Sequence, residues 1–388
     1  MKRATVIRGY VAFAVGLGLP CTAMATPTVT QVAHHVVVSR AAADPVVAAY
    51  QAMTPGQRIG QLFMAGVRSG GPSAAKLARL HRLGVGNVIL NGNSSAGAAA
   101  VAVTAATIDS SLSRSGAAPF IATDQEGGQV QRLTGPGFSA MPTALEQGQW
   151  SAARLRRESA TWAQQLAAAG VNLNLAPVAD IVPARHAHAN QPIGRYDREY
   201  GHTEDVVGPH VAAVVRGESA HVAVTVKHFP GLGRATGNTD LAKHVTDPTT
   251  RHDPYLAAFQ SGVSAGAPFV MVSLATYPNI DPDHPACFSS VVPEQMLRHD
   301  LGFDGVVISD SFHAVAVRSV PPGTAAVRFF RAGGTMLLDT DASPIHDMAA
   351  AVRARAETHP VFAATIKADV LDVLQAKSDA GLLATVQQ

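Results

Sequence analysis

The sequence is poor in cysteine, in aromatic residues and in charge. It has 2 Cys among 388 residues. Two thiols build neither a disulfide scaffold nor a four-thiolate zinc site. Aromatic residues make up 5% and charged residues 15%. The charges nearly cancel: 30 Lys and Arg stand against 28 Asp and Glu, a formal net charge of +2. A nucleic-acid binder that relies on a basic face needs more than that. Beyond the first 25 residues there is no run of 18 uncharged apolar residues, so no spanning helix is predicted. No G-x-G-x-x-G opens a helix after the first strand-like run, which argues against dinucleotide binding. No H-E-x-x-H or comparable spacing gathers any of the 16 His, so neither a metal nor a cofactor is expected. No repeat of solenoid period occurs. What abounds is apolar: 47% of residues are hydrophobic, too many for a disordered chain. At this length the core can be large. The 34 Gly and 24 Pro point to many tight loops joining buried elements.

The start of the chain reads as an export signal. Lys2, Arg3 and Arg8 form a basic head, residues 10–19 an apolar run, and Ala23-Met24-Ala25 puts small residues at the −3 and −1 positions of a cleavage site. Residues 1–25 are therefore expected to be removed, and the mature protein to be exported. The weaker alternative is lipidation at Cys21, disfavoured by Gly18 three positions before it and by the adjacent Pro20. Loss of three basic residues and no acidic one turns the net charge from +2 to −1. Residues 26–46, rich in Thr, Val and Ala and lacking helical periodicity, read as a tether, and 47–388 as one domain. Cys287 is then the remaining thiol and is expected to be a small hydrophobe in a packed wall. A monomer is expected.

From there short apolar runs alternate with Ala-rich helical patterns. The runs are Gln61–Val67, Gly84–Leu90, Pro119–Glu126, Val171–Asp180, Ala223–Pro230, Phe269–Pro278, Gly305–Asp310 and Gly334–Thr340. Nearly continuous Val, Ile, Leu and Ala over six to ten residues is the pattern of strands covered on both faces. Helices are predicted at Ser94–Leu112, Ala152–Ala169, Thr203–Ser219 and Pro254–Ala265, with Asn93-Ser94-Ser95 as a cap. Gly170, Gly266, Gly302 and Gly333 stand where helices should stop. Eight such units predict an α/β fold, a (β/α)8 TIM barrel, with an open doubly wound sheet as the alternative. Thr134–Trp150 and Ile181–His202 are expected to be extended loops on the face where barrel active sites form.

Polar residues gather at the predicted strand ends. They include Asp124 and Glu126 after the third run, Asp180 after the fourth, Lys227-His228 in the fifth, Asp310 after the seventh and Asp339 after the eighth. Each would be costly to desolvate without partners. Two chemistries fit such a rim. A carboxylate could attack an anomeric carbon while cationic groups hold sugar hydroxyls. Alternatively Lys227 could form a Schiff base, as in an aldolase-like barrel.

Asp124-Gln125-Glu126-Gly127-Gly128-Gln129-Val130-Gln131-Arg132 resembles the D-Q-E-G-G-x-V-Q-R segment of family 3 glycoside hydrolases, in particular the β-N-acetylglucosaminidases of the bacterial cell-wall recycling type. Lys227-His228-Phe229-Pro230-Gly231 resembles their K-H-F-P-G segment, Arg198-Glu199-Tyr200-Gly201 their R-S-F-G, and Val307-Ile308-Ser309-Asp310 the strand that carries their nucleophile. The resemblance implies a (β/α)8 retaining glycosidase. It implies Asp310 as nucleophile and Asp124, Arg132, Arg198, Lys227 and His228 as holders of N-acetylglucosamine. The implied partner is a glycan ending in β-linked N-acetylglucosamine, plausibly from peptidoglycan. In this reading Glu126 keeps a structural role in its turn and Asp180 braces the barrel mouth.

One departure concerns the general acid/base. The relatives carry D-S-H or D-T-H on the loop after K-H-F-P-G-H-G. Here equal spacing gives Asn238-Thr239-Asp240, and Leu232 replaces the second His of the segment; Ser311 follows the nucleophile where Asp is common. Three readings follow. Asp240 serves as a carboxylic acid raised by burial or a neighbouring carboxylate; His244 swings in from the same loop; or the acid is missing and the protein is slow or only binds glycans.

Overall fold

A computed structural model describes residues 44–235 and 237–384. The expected signal and all of the tether but its last three residues lie outside the described residues. A helix begins at Pro45, capped by the Asp44 side chain.

A parallel strand lies in each of the eight apolar runs; none extends past its run by more than one residue, and several are shorter than the run. The strands are β1 (Phe63–Arg68), β2 (Asn87–Asn91), β3 (Phe120–Thr123), β4 (Leu173–Asn174), β5 (Ala223–Phe229), β6 (Phe269–Val272), β7 (Val306–Ser309) and β8 (Leu337–Asp339). Each pairs in parallel with its sequence neighbour from β1 to β7, and β8 returns to pair with β1. A bridge between Ile308 and Met336 links β7 to the residue before β8, so the sheet closes on itself. This is the (β/α)8 barrel, not the open sheet. Almost every strand residue is buried, as the continuous apolar runs require.

β4 is shorter than its run because Pro177 has no N–H to give. The segment still pairs: Thr225 N–H bonds Ala176 O and Lys227 N–H bonds Pro177 O. The four predicted stop glycines all adopt positive φ, as at Gly170 (74°) and Gly333 (94°). One helix boundary differs. The helix after β2 runs Ala98–Leu112 and starts at Gly97, not at Ser94. Ser94 is engaged elsewhere: its N–H bonds Arg132 O and its carbonyl accepts Thr134 N–H, so a helix cannot begin there.

The helix Pro360–Asp379 packs at the N-terminal end of the first two strands, the floor of the barrel. Its Lys377 is fully buried, with Nζ 2.7 Å from Gln61 Oε1 and 3.0 Å from Gly86 O. Among the described residues no helix is long and apolar enough to cross a membrane.

Candidate active site

The C-terminal ends of the strands surround a cavity of about 640 Å³. Strand geometry decides which side chains reach it. After β3, Asp124 and Glu126 point in at period two, while Gln125 turns away to bond both backbone groups of Leu133. The chain can reverse there because Gly127 takes φ 111°; a Cβ on it would lie 2.2 Å from Pro142 O. On β5 the register slips between Lys227 and Phe229. Such a bulge re-aims side chains, and the adjacent Lys227 and His228 both line the cavity.

The centre is a cluster of paired charges. Lys227 Nζ lies 2.7 Å from Asp124 Oδ1 and 2.6 Å from Glu126 Oε1. Arg198, from the loop after β4, clamps Glu126 with Nε at 2.7 Å and Nη2 at 2.8 Å, and its Nη1 bonds Pro192 O. Glu126 is thus the anion shared by two cations. Its role goes beyond the turn in which it sits. Burial opposes its charge, but Arg198 and Lys227 outweigh burial and hold the carboxyl well below the usual carboxylate range. Burial likewise opposes the charge of Lys227; Asp124 and Glu126 overcome it and raise its pKa. An ammonium so held is a poor amine nucleophile, which argues against Schiff-base chemistry. Two cations facing two carboxylates leave little uncompensated charge in the wall.

His228 Nδ1 lies 2.7 Å from Asp180 Oδ2, while Asp180 Oδ1 accepts the Leu232 N–H at 2.7 Å. Asp180 is fully buried and fixes both the imidazole and the loop that follows. Asp310 stands just past β7 and lines the cavity; its N–H bonds Val272 O and its Oδ1 accepts the Ser311 N–H at 2.7 Å. Arg132 lines the outer wall and reaches Asn93 Oδ1 at 3.1 Å.

The loop after β5 brings Asp240 to the cavity, together with Asn238 and Thr239. Asp240 is exposed to solvent where it lines the cavity, and the protein around the cleft only partly desolvates it. Burial, and after it the charge of Asp310, raise its pKa. The Asp240 N–H bonds Asn238 Oδ1 at 2.9 Å. His244 is exposed, with φ 54°, and is not among the residues that line the cavity. Seven of the eight residues singled out in the sequence therefore meet at one cavity: Asp124, Arg132, Arg198, Lys227, His228, Asp240 and Asp310. Asp339 points to a separate, smaller cavity of about 160 Å³, and burial pushes its carboxyl up to about 7.

Comparison with known proteins places this arrangement. Residues 55–375 match the Glycosyl hydrolase family 3 N terminal domain. The chain belongs to glycoside hydrolase family 3. A β-hexosaminidase of Xylella fastidiosa (strain M23) is 39% identical over 212 residues, covering 52% of this chain and 60% of the relative. One from Stenotrophomonas maltophilia is 36% identical over 211 residues, with the same shares. The match thus spans less than two thirds of those family members. Among solved structures, the β-N-acetylhexosaminidase from Beutenbergia cavernae superposes with a TM-score of 0.82 at 43% identity, covering 84% of this chain and 99% of the other. A family 3 β-N-acetylglucosaminidase from Paenibacillus sp. superposes with a TM-score of 0.76 at 29% identity, covering 87% and 65%.

Proposed function

We propose that the protein is a retaining glycosidase that removes terminal β-linked N-acetylglucosamine, from glycans such as peptidoglycan fragments. The observation that carries this reading is the pairing of two carboxyl groups in one cavity: Asp310 at the end of β7, and Asp240 with its pKa raised by burial and by Asp310. A nucleophilic carboxylate and a second carboxyl group that can give and take a proton, both facing one cavity, are what a two-step displacement uses. Asp310 attacks the anomeric carbon as the bond to the leaving oxygen breaks, and Asp240 gives that oxygen its proton. Water then displaces Asp310, losing its proton to Asp240. Lys227, Arg198, Asp124, His228 and Arg132 offer donors and acceptors to the sugar's hydroxyl and carbonyl oxygens. Relatives that bear the name β-hexosaminidase and the Beutenbergia cavernae structure support the choice of an N-acetylated sugar.

The reading extends to the ends of the chain. Residues 1–25 are a cleaved export signal, in keeping with the basic head and the Ala23-Met24-Ala25 site, and a tether leads from there to the monomeric catalytic domain, whose first helix starts at Pro45 rather than after residue 46. N-terminal sequencing of protein recovered outside the cytoplasm should begin at Thr26.

The test compares aryl N-acetylglucosaminides with aryl glucosides. Hydrolysis is expected for the first only, and to fall by roughly 10⁴-fold or more in Asp310→Ala. Asp240→Asn should cost about 100-fold or more with a poor leaving group and little with nitrophenolate. Unchanged turnover of Asp310→Ala would overturn the nucleophile, and equal losses with both leaving groups would overturn Asp240 as the acid.

A further inference from the structure

The barrel is closed unevenly. β6 and β7 pair in regular register along Val306–Ser309, and β8 pairs with β1 along Leu337–Asp339. Between β7 and β8 the ladder has the single bridge Ile308–Met336. Toward the mouth the Phe312 N–H still bonds Leu338 O, and two serine hydroxyls take the β8 amides on either side. Ser309 Oγ accepts the Leu338 N–H at 2.9 Å, and Ser311 Oγ accepts the Thr340 N–H at 3.1 Å. The two serines are two residues apart, so both face the seam, as do Leu338 and Thr340 across it. Asp310 sits between them.

Ser311 has the fuller set of contacts. Its Oγ also accepts the His313 N–H at 3.3 Å and lies 2.8 Å from Thr340 Oγ1. Two accepted bonds use both lone pairs, so its own proton goes to Thr340 Oγ1. Its backbone N–H is the donor to Asp310 Oδ1. One residue therefore grips the carboxylate from one end and β8 from the other. Ser311 is largely buried, and Ser309 is fully buried.

We infer that Ser311 is the positioning residue for Asp310: its hydroxyl takes the Thr340 amide beside the Phe312–Leu338 backbone bond of the closing seam and fixes the carboxylate's aim at the anomeric carbon. Ser309 provides the same support one step deeper. The inference rests on the reading of Asp310 as the nucleophile. Ser311 does not touch the sugar's reacting atoms in this role, so its loss should change kcat rather than KM.

The experiment is steady-state hydrolysis of nitrophenyl N-acetylglucosaminide by wild type, Ser311→Ala, Ser311→Thr, Thr340→Val and Asp310→Ala, with thermal melts of each. Ser311→Ala should lose on the order of 10- to 100-fold in kcat, as a misplaced reacting group does, with KM within about threefold. Ser311→Thr keeps the hydroxyl and should recover to within a few-fold. Thr340→Val removes one partner of the hydroxyl and should show a smaller loss with the same kcat-only pattern. Wild-type kcat in Ser311→Ala, or a loss confined to KM, would overturn the inference. If Ser311→Ala does not fold, full kcat in Thr340→Val or no recovery in Ser311→Thr would overturn it. An active Asp310→Ala would instead overturn the reading on which the inference rests.

Discussion

Two lysines, one at each end of the barrel, are equally buried and oppositely treated. Lys227 at the mouth lies between two carboxylates and has its pKa raised. Lys377 at the floor meets an amide oxygen, a carbonyl and the Phe120 ring face but no carboxylate among the described residues, and burial, helped by the Arg114 charge, pushes its amine down to about 7. The same contrast holds for glutamates. Glu126, clamped by two cations, is held far below the usual range. Glu218 has Asn174 Nδ2 at 2.9 Å and, among the described residues, no salt-bridge partner; burial pushes it up to about 8, the Asn174 bond opposing. Burial alone removes charge; only an opposite charge in contact preserves it. At Lys227 and Glu126 contact with an opposite charge keeps the charged form, and at Lys377 and Glu218 burial disfavours it.

The strongest way to break this comparison is Lys227→Met. It leaves Asp124 and Glu126 sharing the remaining cation, Arg198. Breaking a buried pair should cost about 3–5 kcal/mol in urea unfolding, and turnover should fall by roughly 10³-fold. Equal tolerance of Lys227→Met and Lys377→Met would mean that the charge pairing at the mouth is not what matters.

The floor makes a prediction of opposite sign. The amine of Lys377 has an ordinary value of 10.5 and a folded value of about 7. As pH falls below 10.5 the unfolded chain takes up this proton first. Stability therefore drops between pH 10.5 and 7, by at most about 1.4 kcal/mol per pH unit, and is level below 7. Lys377→Met should erase that part of the slope and leave kcat/KM unchanged. Parallel slopes for variant and wild type in urea titrations from pH 7 to 10 would contradict the depressed amine.

Glu218 offers the converse pH test, with the slope reversed. Its ordinary value is 4.5 and its folded value about 8. As pH rises past 4.5 the unfolded chain releases the proton first, so stability declines until about pH 8 and then levels. Glu218→Gln should unfold at a higher temperature than wild type at pH 8 and show little difference at pH 5. A difference that stays constant between the two pH values would assign the effect to packing.

The strands were legible because a parallel barrel strand must be apolar on both faces, and such a run needs no partner to be seen. The rim residues were legible because carboxylates and a lysine at the ends of apolar runs have no packing explanation. What stayed hidden depends on distant partners. Ser94 reads as a cap until Arg132 and Thr134 claim its backbone. Glu126 reads as a turn residue until Arg198 and Lys227, far along the chain, close on it. Lys377 left one usable sign: it follows Val370, Val373 and Leu374 at helical spacing, on the face those buried residues share. Ser309 and Ser311 carry no sign beyond their period of two.

The bond from Lys377 to Gln61 joins residues 316 positions apart. It also sets an order of events during synthesis. Until the last helix has left the ribosome, the acceptors at Gln61 and Gly86 have no donor and the first strands stand over an unplugged floor. Contacts of such long range form late, after their loop has been closed at an entropic cost. The early strands must therefore be kept from associating elsewhere until the helix Pro360–Asp379 is available.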